Sequence, residues 1–158
     1  MLVIIFILFS DSVKSADWYF GLGEIYQADE LGHRMYSVSR EEARWKFGIS
    51  YWDSYPKTAW LPEHPEWGVE YVDSHYMLAI VRTLFQYKVT NELEFYFDFG
   101  LTYTSELSSV NSSDFNFQEN LGFAYKNLRL YLRHTSNAKI KSPNRGEDAL
   151  VIEVGFNL

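Results

Sequence analysis

Regular alternation of apolar and polar residues is the feature that most limits what this chain can fold into. The clearest case is residues 92–104, in which every second residue is Leu, Phe or Tyr. Because successive side chains of a β-strand point to opposite faces, this segment has one apolar and one polar face. Strand-like segments of this kind number eight, at about residues 17–26, 44–52, 69–73, 77–89, 92–104, 115–126, 128–134 and 150–158.

The repeated alternation has two readings, a membrane barrel and a soluble sandwich whose apolar faces form a core. Residues 1–16 favour the barrel, since they resemble a secretory signal peptide with a short apolar run and small residues at its end. The aromatic share of 18% also fits a barrel with aromatic girdles. The sequence therefore predicts an all-β fold, an eight-stranded antiparallel up-and-down transmembrane β-barrel over residues 17–158, in the bacterial outer membrane.

The loop lengths predict an orientation for this barrel. With both termini periplasmic, short links at residues 90–91 and 127 become periplasmic turns, and the longer loops at residues 27–43, 105–114 and 137–147 lie outside. Residues 53–68 fit poorly, because they would form a long periplasmic connection. Either this stretch lies at the lipid interface or the third strand is misplaced.

The polar faces would fill a narrow interior, where charged groups need partners. We expect an internal network that contains Arg82, Glu94, Asp98, Arg129, Arg133 and Glu153. Glu119 interrupts the apolar face of the sixth segment, which indicates a possible β-bulge.

The last two segments bring together residues that suit nucleophilic catalysis. His134 and Ser136 continue the apolar face of the seventh segment, and Asp148 extends that of the eighth. A serine nucleophile needs a base, and the base needs an orienting acid. Parity thus predicts a lipid-facing set of Ser136, His134 and Asp148, with Glu147 as a rival acid that should point inward.

The loop between these segments offers further groups for a substrate. The side-chain amide of Asn137 can donate to a tetrahedral oxyanion. Lys139, Lys141 and Arg145 are either phosphate-binding cations or parts of a solvated loop tip.

The same stretch resembles the lipid A 3-O-deacylase (PagL) family. The resemblance rests on HTSNA at residues 134–138, Pro143-Asn144, Gly146 and the acid at Asp148. It implies an outer-membrane barrel that hydrolyses the acyl ester at the 3-position of lipid A. Carried over, it makes Ser136 the nucleophile, His134 the base, Asp148 the orienting acid and Asn137 an oxyanion-hole candidate. Lys139 stands where the family pattern has a small residue, usually Gly.

Composition excludes several other classes of function. A net charge of −7 argues against a nucleic-acid partner, and the absence of cysteine excludes a thiol nucleophile. His33, His64 and His75 lack metal-ligand spacing and are interpreted as loop residues, so we expect neither a metal nor a cofactor. Two alternatives to a lipid A or lipopolysaccharide substrate stay open, a phospholipid esterase and a non-catalytic adhesion or structural barrel. The oligomeric state is not indicated.

Overall fold

A computed structural model describes residues 17–25, 32–57, 70–107, 113–140 and 146–157. The predicted signal peptide lies outside the described residues. Within these ranges, no helix is long and apolar enough to cross a membrane. The strands, in chain order, are β1 (Trp18–Ile25), β2 (Arg34–Glu42), β3 (Trp45–Trp52), β4 (Tyr55–Lys57), β5 (Glu70–Val72), β6 (His75–Lys88), β7 (Leu93–Thr104), β8 (Phe115–Tyr125), β9 (Leu128–Ser136) and β10 (Glu147–Phe156).

Eight of the strands form a closed antiparallel barrel. Its order is β1-β10-β9-β8-β7-β6-β3-β2, and β1 pairs with both β2 and β10. Closure leaves no unpaired strand edge in this sheet. A sheet that spans a lipid bilayer must be closed in this way, because lipid cannot satisfy free backbone groups. The predicted fold class and strand number are therefore confirmed.

One barrel strand was missed and another was misassigned. β2 lies inside residues 27–43, which the sequence analysis assigned to an outer loop. The third predicted strand, at residues 69–73, corresponds to β5, which pairs only with β4 in a separate two-stranded sheet. Residues 53–57 therefore lie at the same end of the barrel as the long loops, and residues 58–68 lie outside the described residues. The expectation of a long periplasmic connection was wrong, and the misplaced-strand alternative was right.

The outer face of the barrel is apolar in the middle and aromatic towards its ends. Large apolar side chains such as Leu22, Leu78 and Ile152 are about half exposed because they point away from the barrel. Tyr51 packs between two other tyrosines on neighbouring strands, with ring centroids 6.5 Å and 5.2 Å apart. Such a band suits contact with lipid at the membrane interface.

The barrel interior holds a charged network built around Lys46. Its ammonium group lies 3.3 Å from Glu153 and 3.7 Å from Asp98. Tyr131 donates a hydrogen bond to Glu153 at 2.6 Å, and Arg133 donates to the Tyr131 hydroxyl at 2.9 Å. Buried charges of this kind need close partners, and here they have them.

The expected interior position was wrong for Arg82. This side chain is exposed and stacks on Trp45, with its guanidinium carbon 5.6 Å from the ring centroid. The pairing of β6 with β7 shifts between Thr83 and Phe85, so the face that each residue occupies changes there. Val81 consequently points inward and Phe85 outward, although strict alternation would place both on one face.

The two-stranded sheet β4–β5 contributes to the core at the long-loop end of the barrel. Tyr55 and Val72 are fully buried and join a cluster with Trp52, Ala149 and Val151. Long-loop residues thus pack directly against the end of the barrel where β10 begins.

Candidate active site

The centre of the candidate site is a hydrogen bond between neighbouring strands. His134 on β9 is paired directly with Asp148 on β10, and the imidazole Nδ1 lies 2.7 Å from a carboxylate oxygen of Asp148. Both side chains point outward and are partly exposed, 41% and 32% respectively. A substrate that approaches the barrel wall from the membrane can therefore reach the imidazole.

Ser136 lies beside this pair at the end of β9. It occupies the same face as His134, two residues further along the strand, and is half-buried. Gly146 packs against both residues. A Cβ added to Gly146 would lie 2.7 Å from His134 Cε1 and 3.2 Å from Ser136 Cβ, so the two side chains meet over this glycine.

Gly146 also has a backbone conformation that favours glycine. Its φ of +68° lies in the left-handed region that glycine adopts without steric cost. In the sequence, Gly146 stands out only as part of the family pattern. Its contact with the imidazole follows from three-dimensional packing and leaves no signal in the alternation.

Glu147, the rival acid, points into the barrel as its parity predicts, and it is fully buried. It accepts a hydrogen bond of 2.8 Å from the Tyr55 hydroxyl and lies 3.3 Å from Nε2 of His75. His75 is the first residue of β6 and is buried, so its interpretation as a loop residue was wrong. The barrel wall therefore separates Glu147 from the face that carries Ser136.

The pKa of Tyr55 is raised well above its usual range, first by burial and then by the neighbouring Glu147 carboxylate. The phenol therefore stays protonated at ordinary pH and can donate to Glu147. This contact ties β4 to the first residue of β10, next to Asp148.

The residues that follow Ser136 form a tight loop. Asn137 is buried, and its carbonyl accepts a hydrogen bond of 3.0 Å from the N–H of Ile140. Ala138 and Lys139 have φ values of 51° and 63°. Lys139 thus adopts the conformation that favours glycine, which gives a physical reason for glycine at this position of the family pattern. Lys141 and Arg145 lie outside the described residues.

An apolar groove of about 580 Å³ runs along the outer wall beside His134. Its walls include Phe97, Leu121 and Leu132, and its polar end is formed by His134, Asp148 and Glu119. Glu119 is paired directly with His134 across β8 and β9, and the register there is regular. The β-bulge considered at Glu119 is absent from this pairing, and the carboxylate faces outward.

The family profile "Lipid A 3-O-deacylase (PagL)" matches residues 18–157 of the sequence. This chain belongs to the PagL family. No curated protein matches the sequence. A solved structure described as the crystal structure of the outer membrane enzyme PagL resembles this fold with a TM-score of 0.58 at 16% sequence identity. The match covers 90% of this chain and all of that one.

Membership of the PagL family and the closed barrel confirm the outer-membrane location predicted from the sequence. That the end with the long loops, where Ser136 and His134 lie, faces outward stays a prediction from the loop lengths.

Proposed function

We propose that this PagL-family barrel is a serine esterase that removes the acyl chain ester-linked at the 3-position of lipid A. The observation that supports this most strongly is the 2.7 Å contact between His134 and Asp148 on the outward face of the wall, with Ser136 beside it. A charge-assisted hydrogen bond of this kind does not improve the packing of a barrel wall against lipid. It does orient a base that must activate a hydroxyl.

In the proposed mechanism, Asp148 accepts a hydrogen bond from the imidazole Nδ1–H, which leaves the Nε2 lone pair of His134 for Ser136. The Ser136 oxygen attacks the ester carbonyl carbon while Nε2 takes its proton. The tetrahedral intermediate then breaks the bond to the sugar oxygen, which leaves with the proton from the imidazolium. Water, deprotonated by the same His134, finally hydrolyses the acyl-serine and releases a fatty acid.

The groove beside His134 suits the acyl part of this substrate. It is lined by apolar side chains and starts at the level of the His134–Asp148 pair. A chain held there keeps its carbonyl end near Ser136 and its tail against the lipid-facing wall. Asn137 and the nearby loop N–H groups are the proposed oxyanion donors. Exposed Lys139 is the proposed contact to a phosphate of lipid A.

The proposal is tested by mass spectrometry of lipid A from Gram-negative cells that express the protein. We expect one 3-hydroxyacyl group to be lost with the native protein and retained with Ser136→Ala. Ser54→Ala is the matched control, because Ser54 is an exposed serine at the same end of the barrel. It should behave as the native protein.

Folding of every variant is checked by its heat-modifiable electrophoretic mobility. Unchanged lipid A with a folded native barrel would contradict the proposal. If purified protein then cleaved phospholipid through Ser136, the phospholipid esterase would replace it. Activity on neither lipid would favour a non-catalytic barrel.

A further inference from the structure

Glu119 is a carboxylate that the proposed mechanism does not use. It is exposed on the outer wall beside His134 and Asp148, and the rest of the groove wall next to it is mostly apolar. Phe99 is paired with it on β7, and Leu121 lies two residues away on the same face of β8. An acidic side chain in lipid surroundings is tolerated near the interface, but it gains nothing there without a hydrogen-bond donor.

Within the described residues, Glu119 has no hydrogen-bond or ion-pair partner, although it is paired with His134 across the strands. Directly opposed residues of an antiparallel pair have Cβ atoms roughly 4.5–5.5 Å apart. The imidazole nevertheless makes its carboxylate contact through Nδ1 with Asp148, and Nε2 is needed for Ser136 in the proposed mechanism. Neither ring nitrogen is then left for Glu119, and a bound substrate can supply the donor that the described residues do not.

The position of Glu119 in the groove indicates which donor this is. Ser136 is paired with Phe117, and Glu119 is the next residue on that face, roughly 6.5–7 Å further along the strand. An acyl chain that runs from Ser136 into the groove must pass Glu119 within its first few carbons before it reaches Leu121 and Leu132. A hydroxyl on the third carbon of the chain would reach the wall at this level.

We propose that Glu119 accepts a hydrogen bond from the 3-hydroxyl group of the acyl chain and thereby selects 3-hydroxyacyl esters over plain acyl esters. This inference rests on the proposed function. A hydrogen bond to a charged acceptor favours the hydroxylated chain by roughly 10- to 100-fold. The negative charge of Glu119 also disfavours a phosphate at this end of the groove.

The test compares two synthetic 3-O-acylated glucosamine phosphates of equal chain length, one with and one without the 3-hydroxyl group on the ester-linked chain. We expect purified native protein in detergent to show a kcat/KM ratio of roughly 10 to 100 in favour of the hydroxylated ester. In Glu119→Leu the ratio should fall to near one, mainly through slower cleavage of the hydroxylated ester. Glu106→Leu is the matched control, because Glu106 is exposed at the same end and does not line the groove.

The outcomes distinguish failure of the role of Glu119 from failure of the proposed esterase function. Equal rates on both esters with the native protein would refute the role of Glu119 and leave the esterase intact. An equal loss on both esters in Glu119→Leu would also refute it, and would show that the carboxylate acts through His134. Cleavage of neither ester by folded native protein would refute the proposed function itself, and the inference with it.

Discussion

Replacement of Gly146 by alanine is the change that best isolates the geometry of the site. The new Cβ would lie 2.7 Å from His134 Cε1, whereas ordinary contact begins at 3.4 Å, so the imidazole must retreat by about 0.7 Å. The backbone carbonyl of Thr135, at 2.9 Å from the same Cβ, belongs to a paired strand that resists movement, so residue 146 and the imidazole must both adjust. The ring must therefore shift relative to Asp148 and Ser136.

A shift of this size should be costly for catalysis and modest for folding. Misplacement of a catalytic group by about 1 Å can lower a rate by about 100-fold, so we expect kcat to fall by roughly 10- to 100-fold. The left-handed backbone conformation adds about 1–2 kcal/mol of strain to an alanine. The barrel, which is closed by continuous strand pairing, should still fold.

The assay is ester hydrolysis by purified protein, with kcat and KM measured separately. Gly32→Ala is the control, because Gly32 also has a positive φ, +116°, but no atom of the described residues lies within 4 Å of the added Cβ. It should carry backbone strain without loss of kcat. Native kcat in folded Gly146→Ala would refute the claim that this glycine sets the position of His134.

Three further predictions concern the acid, the loop and the buried tyrosine. Asp148→Asn should lower kcat by roughly 100-fold or more in a folded barrel. Glu147→Gln should instead lower thermal stability and leave most of kcat. Kinetics and thermal unfolding curves of both variants test this difference. Lys139→Gly should raise the free energy of unfolding by about 1 kcal/mol, measured by urea titration, since it removes the left-handed strain. Because the pKa of Tyr55 is raised on folding, its contribution to stability is complete below about pH 10 and lost as pH rises further. Tyr55→Phe should lack this alkaline loss relative to the native protein and should be about 1–3 kcal/mol less stable at neutral pH.

The fold was predictable because lipid and lumen impose opposite demands on alternate residues. In β7 every outward residue from Leu93 to Tyr103 is apolar or aromatic, so the sequence assigns its two faces without ambiguity. In β2 only Tyr36 and Val38 supply the outward apolar signal, and charged residues flank them at Arg34 and Arg40. A strand with so short an apolar face looks like a loop.

Parity failed where the backbone departs from regular pairing. The shift between Thr83 and Phe85 exchanges the two faces of β6, which is why Arg82 was assigned to the interior. In β9 and β10 the register has no such shift, so the parity argument that joined His134 to Asp148 held across the hairpin.

Other features of the site depend on contacts between distant segments. Glu119 comes to lie opposite His134 only through the register of β8 with β9, so no local pattern explains a carboxylate on that face. The contact of Tyr55 with Glu147 joins residues 92 positions apart, and no local pattern reports it.

The central claim is that Ser136 is a nucleophile activated by His134 on the outer wall. Covalent labelling of detergent-solubilised native protein with an alkyl fluorophosphonate, followed by peptide mass spectrometry, tests it most directly. The account predicts one phosphonyl group per chain, attached to Ser136, and no labelling in folded His134→Ala. An adduct on another residue, or catalytically active protein that takes up no label, would contradict it.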